Sequence, residues 1–445
     1  MSPKKILLLD YYSEKNRGDA AIQVGLVRLV RAQFPEATVS VVSSLGANQS
    51  RDLPEHFPHT REEGVAVYGG LCPTTVSLQE SNRFLQVKAI RAFVAGGSFL
   101  LCVALLGLLA VRVPVSLLAV CMPASFRKTI QILAESDMVV WRGTNFRSGT
   151  SFLRDAYSTF FWCFQPLACL FMGKPVTCVG VSLWLPRTFV ARAIYRMAFR
   201  QCIFFAVREE ESLGRVRSIL GGRGPEVVLM PDLSFILLKE LTGLSSSSTR
   251  GDQVGVTIVD RHKGDSAGRA RYTRVMRAIL NEIVSNPATS IVIIPQVTTR
   301  SEDASGIIEE ILSDLPPRAR DRITIGVGEH SIEELVAEYA RLDYLVATRL
   351  HSSIFALASG TPVFVMRYDE GPQWSILSML GVGSFVVDYR ATDERDIVER
   401  FRSFRIEGAY PTIKILENFK MYHEQIGGVF SQISSAYEQW TRNKQ

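Results

Sequence analysis

The chain lacks the marks of several protein classes. Among its 445 residues there is no C-x-x-C, and the seven cysteines (Cys72, Cys102, Cys121, Cys163, Cys169, Cys178, Cys202) crowd the first half, mostly within apolar runs. That usage suits a reducing compartment and excludes a disulfide framework. The six histidines form no H-x-x-x-H, so no zinc-protease pattern exists and no metal or cofactor is demanded. There is no long basic block. Lys plus Arg exceed Asp plus Glu by only 50 to 44, and the surplus is dispersed. This excludes nucleic acid as a natural partner and fits steering of anionic substrates or lipid headgroups. No solenoid repeat is present, and the only biased segment is the short run Ser245 to Ser248. Because an apolar strand, Ile6 to Leu9, opens the chain, no cleaved leader is expected and a cytoplasmic location follows. Hydrophobic residues make up 47% and charged residues 21%, enough for two core-bearing globular domains.

Charge is missing altogether from Phe93 to Val111, and after Arg112 a second apolar arm runs from Val113 to Met122. Arg83, Lys88 and Arg91 precede this segment, and Arg127 and Lys128 follow it. The pattern predicts an insert over about 92–126 that dips as a hairpin into the cytoplasmic leaflet, a peripheral or monotopic contact. A buried core helix or an oligomer interface is the plainer alternative.

Outside the insert, short apolar runs alternate with helical spacing. Strands are expected at Ile6 to Asp10, Thr38 to Ser43, Met138 to Trp141, Val176 to Val179, Ile203 to Val207 and Val227 to Met230. A second set follows at Gln253 to Val259, Ile291 to Pro295, Ile323 to Ile325, Tyr344 to Ala347 and Val363 to Met366. This is α/β: two Rossmann-like domains facing a cleft, at 1–240 and 253–405, with a helical tail at 406–445 and a polar linker at 241–252.

The densest chemistry lies in Thr348-Arg349-Leu350-His351-Ser352-Ser353, where a strand turns into a helix that Gly360 and Pro362 end. Free backbone N–H groups at such a turn, beside the fixed cation Arg349, make a phosphate or carboxylate pocket. His351 shares the turn. Arg17, Gly18 and Asp19 follow the first strand, where open α/β sheets bind ligands, although Asp19 also reads as a helix cap. Arg208 and Glu209 repeat the arrangement after another strand, with an exposed ion pair as the simpler reading. Asp232 and Arg142 stand at two further strand ends.

The ordered set Asn16-Arg17-Gly18-Asp19, Asp137 to Thr144, Gly173-Lys174-Pro175-Val176, Val207-Arg208-Glu209 with Ser212, Pro231-Asp232, Pro295-Gln296-Val297 and Arg349-Leu350-His351 through Gly360-Thr361-Pro362 resembles the polysaccharide pyruvyl transferase family. The resemblance implies a GT-B-like fold. It also implies transfer of a pyruvyl group from phosphoenolpyruvate to a hexose of a cell-surface polysaccharide or polyprenyl-linked precursor, forming a ketal at the inner face of the plasma membrane. Family members hold phosphoenolpyruvate with an Arg-Leu-His trio, which maps onto Arg349, Leu350 and His351, with Arg208 and Ser352 as further binders. His351 then serves as phosphate ligand or general acid and Asp19 or Glu209 as base. The chain departs from the family where Trp141-Arg142-Gly143 replaces a glycine pair, and where Asp369-Glu370 follow Tyr368 in place of a lysine. A nucleotide-sugar glycosyltransferase and a silent membrane-associated scaffold are the competing expectations.

Overall fold

A computed structural model of the chain describes residues 2–49, 53–72, 88–149, 151–241, 252–262, 265–299, 303–326, 331–406 and 410–444, with the side chains of 49, 88–94, 239–241 and 406 outside that description. Nearly all of the expected linker at 241–252 also falls outside the described residues. The chain divides into two compact units. Unit 1 is Met1–Glu14, Ile22–Leu233 and Glu424–Gln445; unit 2 is Lys15–Ala21 and Ser234–His423.

Unit 1 is built on the strands β1 (Lys5–Tyr11), β2 (Thr38–Gly46), β3 (Ala66–Gly70), β4 (Met138–Arg142), β5 (Asn145–Phe146), β6 (Val176–Leu183), β7 (Phe204–Val207) and β8 (Val227–Leu229). Their order is β3-β2-β1-β4-β6-β7-β8, with β5 pairing β6, and every pairing is parallel. Parallel strands are covered on both faces, so they read as continuous apolar runs; β6 is buried at every position. Unit 2 contains β9 (Gln253–Val256), β10 (Ser290–Ile293), β11 (Ile323–Ile325), β12 (Tyr344–Ala347), β13 (Val363–Arg367) and β14 (Val386–Asp388), ordered β11-β10-β9-β12-β13-β14 and again wholly parallel. Read within the unit, that is the doubly wound order 3-2-1-4-5-6, whose switch point lies between β9 and β12.

Several boundaries differ from the expectations. The strand expected to reach Val259 stops at Val256, because Thr257 turns its hydroxyl and carbonyl to Thr348. The helix Phe152–Phe171 was not anticipated, since Pro166 lies inside it and its apolar spacing is nearly continuous. Tertiary contacts hold it: buried Asp155 in its first turn accepts hydrogen bonds from the amides of Gly149, Arg187 and Thr188. The apolar insert folds as helices Lys88–Ala110, Val115–Val120 and Ala124–Glu135, with Arg112 in a left-handed turn (φ 61°) between the first two. Among the described residues, no helix is long and apolar enough to cross a membrane. The last helix, Thr412–Lys444, sets Phe419 edge-on against Phe235 and stacks Tyr422 on it in unit 2; at its far end the Lys444 ammonium donates to the Gly173 carbonyl in unit 1.

Candidate functional site

In unit 2 the ends of β9 and β12 are locked together before the chain turns into a helix. The Thr348 amide donates to the Thr257 hydroxyl at 2.9 Å, and the Thr348 hydroxyl donates to the Thr257 carbonyl at 2.7 Å. Arg349 is the N-cap of helix Leu350–Ala358, with extended backbone at φ −126° and ψ 138°. Its carbonyl accepts from the Ser352 hydroxyl at 2.7 Å, the Ser353 hydroxyl at 3.1 Å and the Ser353 amide at 3.2 Å. The backbone under Arg349 is therefore fixed before any ligand arrives. The Ser353 N–H is thus engaged within the turn itself. The Leu350 side chain is buried.

Arg349 borders a cavity of about 800 Å³ whose walls include Ile293, Ile308, Gln296, Thr298 and Asp303. That is the size range of small-molecule sites, and its position at the carboxyl ends of the strands beside the switch point is where doubly wound sheets hold ligands.

His351, half-buried in the first turn of the helix, lies against Gly18. A Cβ on Gly18 would stand 2.3 Å from His351 Cγ and Nδ1, so only glycine admits the ring here. The Gly18 loop is held to unit 2 by backbone contacts: the Arg17 amide donates to the Gln296 carbonyl at 3.3 Å and the Thr298 amide to the Lys15 carbonyl at 3.0 Å, around a bridge between Asn16 and Val297. The Asn16 side chain donates to Asp19 at 2.7 Å and accepts from the Gly18 amide at 3.1 Å. Arg17, Gly18 and Asp19 thus share one unit with Arg349, His351 and Ser352 despite their distance in sequence.

The remaining candidates belong to unit 1. Arg208 donates to Asp232 at 2.6 Å through Nη1, and to the Ser182 hydroxyl at 3.0 and 2.6 Å through Nε and Nη2. Ser182 in turn donates to Glu209 at 2.8 Å, and Ser212 donates to the other Glu209 oxygen. Arg208, Glu209 and Asp232 are all buried. Burial pushes the Glu209 carboxyl upward, against the pull of Arg208 and the two serines. The simpler expectation of an exposed Arg208 paired with Glu209 or Glu211 is corrected: its carboxylate partner is Asp232, and the pair is internal. Arg142 is buried too, donating to the Asp10 carbonyl at 3.4 and 3.2 Å and lying 5.9 Å from the Tyr11 ring centre.

Sequence reasoning passed over Asp10. It stands one residue before the end of β1 in the left-handed region (φ 62°), its carboxylate accepts from Gln165 at 2.6 Å, and burial raises its pKa to about 7 against the opposing pull of Gln165 and Arg142. The available signal was a carboxylate ending the apolar run of the first strand. Among the described residues, no group of three metal-ligating side chains converges.

Solved structures similar to the chain define its class. A UDP-GlcNAc 2-epimerase from Neisseria meningitidis bound to UDP-GlcNAc is 13% identical, with 98% of this chain and 100% of that chain covered and a TM-score of 0.57. An α,α-trehalose 6-phosphate synthase from Burkholderia multivorans is 10% identical over 100% of both chains, with a TM-score of 0.56. A UDP-N-acetylglucosamine 2-epimerase from Rickettsia bellii is 9% identical, covering 99% of this chain and 98% of that chain at a TM-score of 0.57. At such identities the likeness shows the fold alone, which is GT-B-like. No curated protein matches the sequence. The profile of the polysaccharide pyruvyl transferase family matches residues 16–370, from the Asn16 loop past the Arg349 turn, and the chain belongs to that family. It is, at that level, a transferase acting on polysaccharide.

Proposed function

We propose that the protein transfers a pyruvyl group from phosphoenolpyruvate to two hydroxyls of a hexose in a cell-surface polysaccharide or its polyprenyl-linked precursor, at the cytoplasmic face of the membrane. The carrying observation is the turn at Arg349: a buried cation on a fixed backbone borders a cavity at the switch point of unit 2, with a helix N-terminus and His351 in the same turn. That combination suits a small dianion or trianion. In the proposed reaction a proton is added to the methylene carbon of phosphoenolpyruvate, leaving a cationic C2. A sugar hydroxyl attacks C2 and gives up its proton, the C2–O bond to phosphate breaks, and a second hydroxyl closes the ketal with loss of its own proton. One hydroxyl proton replaces the one added to carbon, and the other leaves with phosphate. Arg349 and the N-terminal end of helix Leu350–Ala358 neutralise the phosphate as it departs. His351 is phosphate ligand or general acid, and Asp19 is the base candidate within the same unit. Glu209 is the less suitable base, because it is buried and both its oxygens are engaged by serines.

A nucleotide-sugar reaction is the second reading, favoured by one observation: a cavity of about 800 Å³ has room for far more than phosphoenolpyruvate. Thermal denaturation separates the two. A ligand at about 100 times its dissociation constant stabilises by about 2.7 kcal/mol. Protection by phosphoenolpyruvate alone, abolished by Arg349→Ala, supports the first reading. Protection by a nucleotide sugar alone replaces it with the second.

A further inference from the structure

Over its described side chains, 95–110, the helix Lys88–Ala110 carries no charge on either face. Cys102, Leu105, Leu106 and Leu109, at helical spacing, bury into the core of unit 1, and the Phe99 ring meets Phe160 edge-on at 4.7 Å. The opposite face carries Leu100, Leu101, Val103, Ala104 and Leu108, and the solvent meets no polar side chain along it. Leu101 is 74% exposed, and beyond the helix Val111 is 73% and Val120 71% exposed. A water-soluble surface helix puts polar residues on that face, so this one is built for an apolar occupant.

Two further observations identify the occupant. No carboxylate occurs between Glu80 and Glu135, while Arg83, Lys88, Arg91, Arg112, Arg127 and Lys128 all do. Arg112 is exposed at the turn, and Arg127 donates to the carbonyls of Ala119, Val120 and Met122 at the end of the short helix. A two-fold pairing of two copies would set these cations against each other with no acid from the insert to answer them. Secondly, a cavity of about 380 Å³ opens beside the exposed face, lined by Leu101, Leu105, Met122, Pro123 and Phe126. Its mostly apolar lining suits an apolar tail.

We propose that the hairpin from Lys88 to Lys128 is a monotopic docking element for an anionic lipid leaflet. Its apolar face enters the headgroup–acyl boundary to roughly 5–10 Å, with Arg112, Arg127 and Lys128 at headgroup level. The cavity takes one apolar chain of a lipid. The insert leaves the sheet at the carboxyl end of β3, so docking brings a lipid-linked acceptor to the side of unit 1 where α/β sheets bind ligands. That last step rests on the reaction proposed above; the docking does not.

The test is co-sedimentation of the full chain with phosphatidylcholine vesicles, alone or containing phosphatidylglycerol at about 30%, with no substrate present. The expected result is partition at least tenfold stronger onto the anionic vesicles. Arg112→Gln should weaken that partition about fivefold and leave neutral vesicles unaffected. The triple substitution Leu101→Gln, Val111→Gln and Val120→Gln should abolish binding to both while the melting temperature and transfer to a water-soluble acceptor stay unchanged. Absence of vesicle binding by the parent chain overturns the proposal, as does a vesicle-free dimer that the triple substitution splits into monomers. Either outcome leaves phosphoenolpyruvate-dependent transfer to a soluble acceptor untouched, so the two proposals fail separately.

Discussion

Gly18→Ala is the sharpest probe of how the site is assembled. The added Cβ would lie 2.3 Å from His351 Cγ and Nδ1 and 2.7 Å from His351 Cβ, where ordinary contacts are 3.4–4 Å. The loop and the ring must therefore separate by about 1 Å or more, and since Cβ of His351 is also involved, a rotation of the ring alone does not relieve the contact. Overpacking of this kind costs about 1–3 kcal/mol. Against that, Gly18 is in the first turn of helix Arg17–Gln33 with no positive φ, so alanine restores about 0.5–1 kcal/mol of helix preference. The net change in stability is small, about 0–2 kcal/mol destabilising. The effect on turnover is expected to be large, because displacing an acting group by about 1 Å costs on the order of 100-fold. The assay is phosphate release from phosphoenolpyruvate in the presence of acceptor, run beside a thermal melt. Because the two sites touch, Gly18→Ala added to His351→Gly, which removes the Cβ as well as the ring, should cost little more than His351→Gly alone. Activity within about threefold of the parent, with the melt unchanged, would refute the idea that glycine is needed here to seat the histidine.

Asp10→Asn tests the buried carboxylate. A carboxyl at about 7 in the fold and about 3.9 unfolded takes up a proton on folding between those values, so its share of stability falls as pH rises from about 4 to about 7 and is flat above. The full window corresponds to at most about 4 kcal/mol at 1.36 kcal/mol per unit. Asparagine tolerates the left-handed backbone, so the variant should match the parent near pH 4 and melt higher at pH 8. Asp232→Ala strands the buried Arg208 guanidinium, and chemical denaturation should show a loss of about 3–5 kcal/mol; replacing both residues by apolar side chains of similar volume should cost less. Arg349→Ala should remove the phosphoenolpyruvate-dependent rise in melting temperature, read against the melt of the free variant, since the residue borders the cavity.

What was legible in the sequence was whatever is contiguous. Parallel strands covered on both faces, such as Ile6 to Leu9 and Tyr344 to Ala347, appear as unbroken apolar runs, and the Arg349 turn announces itself because strand end, cation and helix onset are consecutive residues. The polysaccharide pyruvyl transferase resemblance drew on the same local motifs. What only the tertiary structure decided was whatever depends on which surfaces meet. Nothing local says that Gly18 lies against His351, that Arg208 finds Asp232 and Ser182 in the interior, or that Arg142 closes on the Asp10 carbonyl. The helix Phe152–Phe171 owes its place to packing that outweighs its internal proline. Likewise the apolar run from Phe93 to Val111 reads alike whether protein or lipid covers it; only the packing of Leu105, Leu106 and Leu109 shows which face the protein takes and which it leaves exposed. Local sequence sets hydrophobic period and turn chemistry, whereas burial and partnership are properties of distant surfaces brought together.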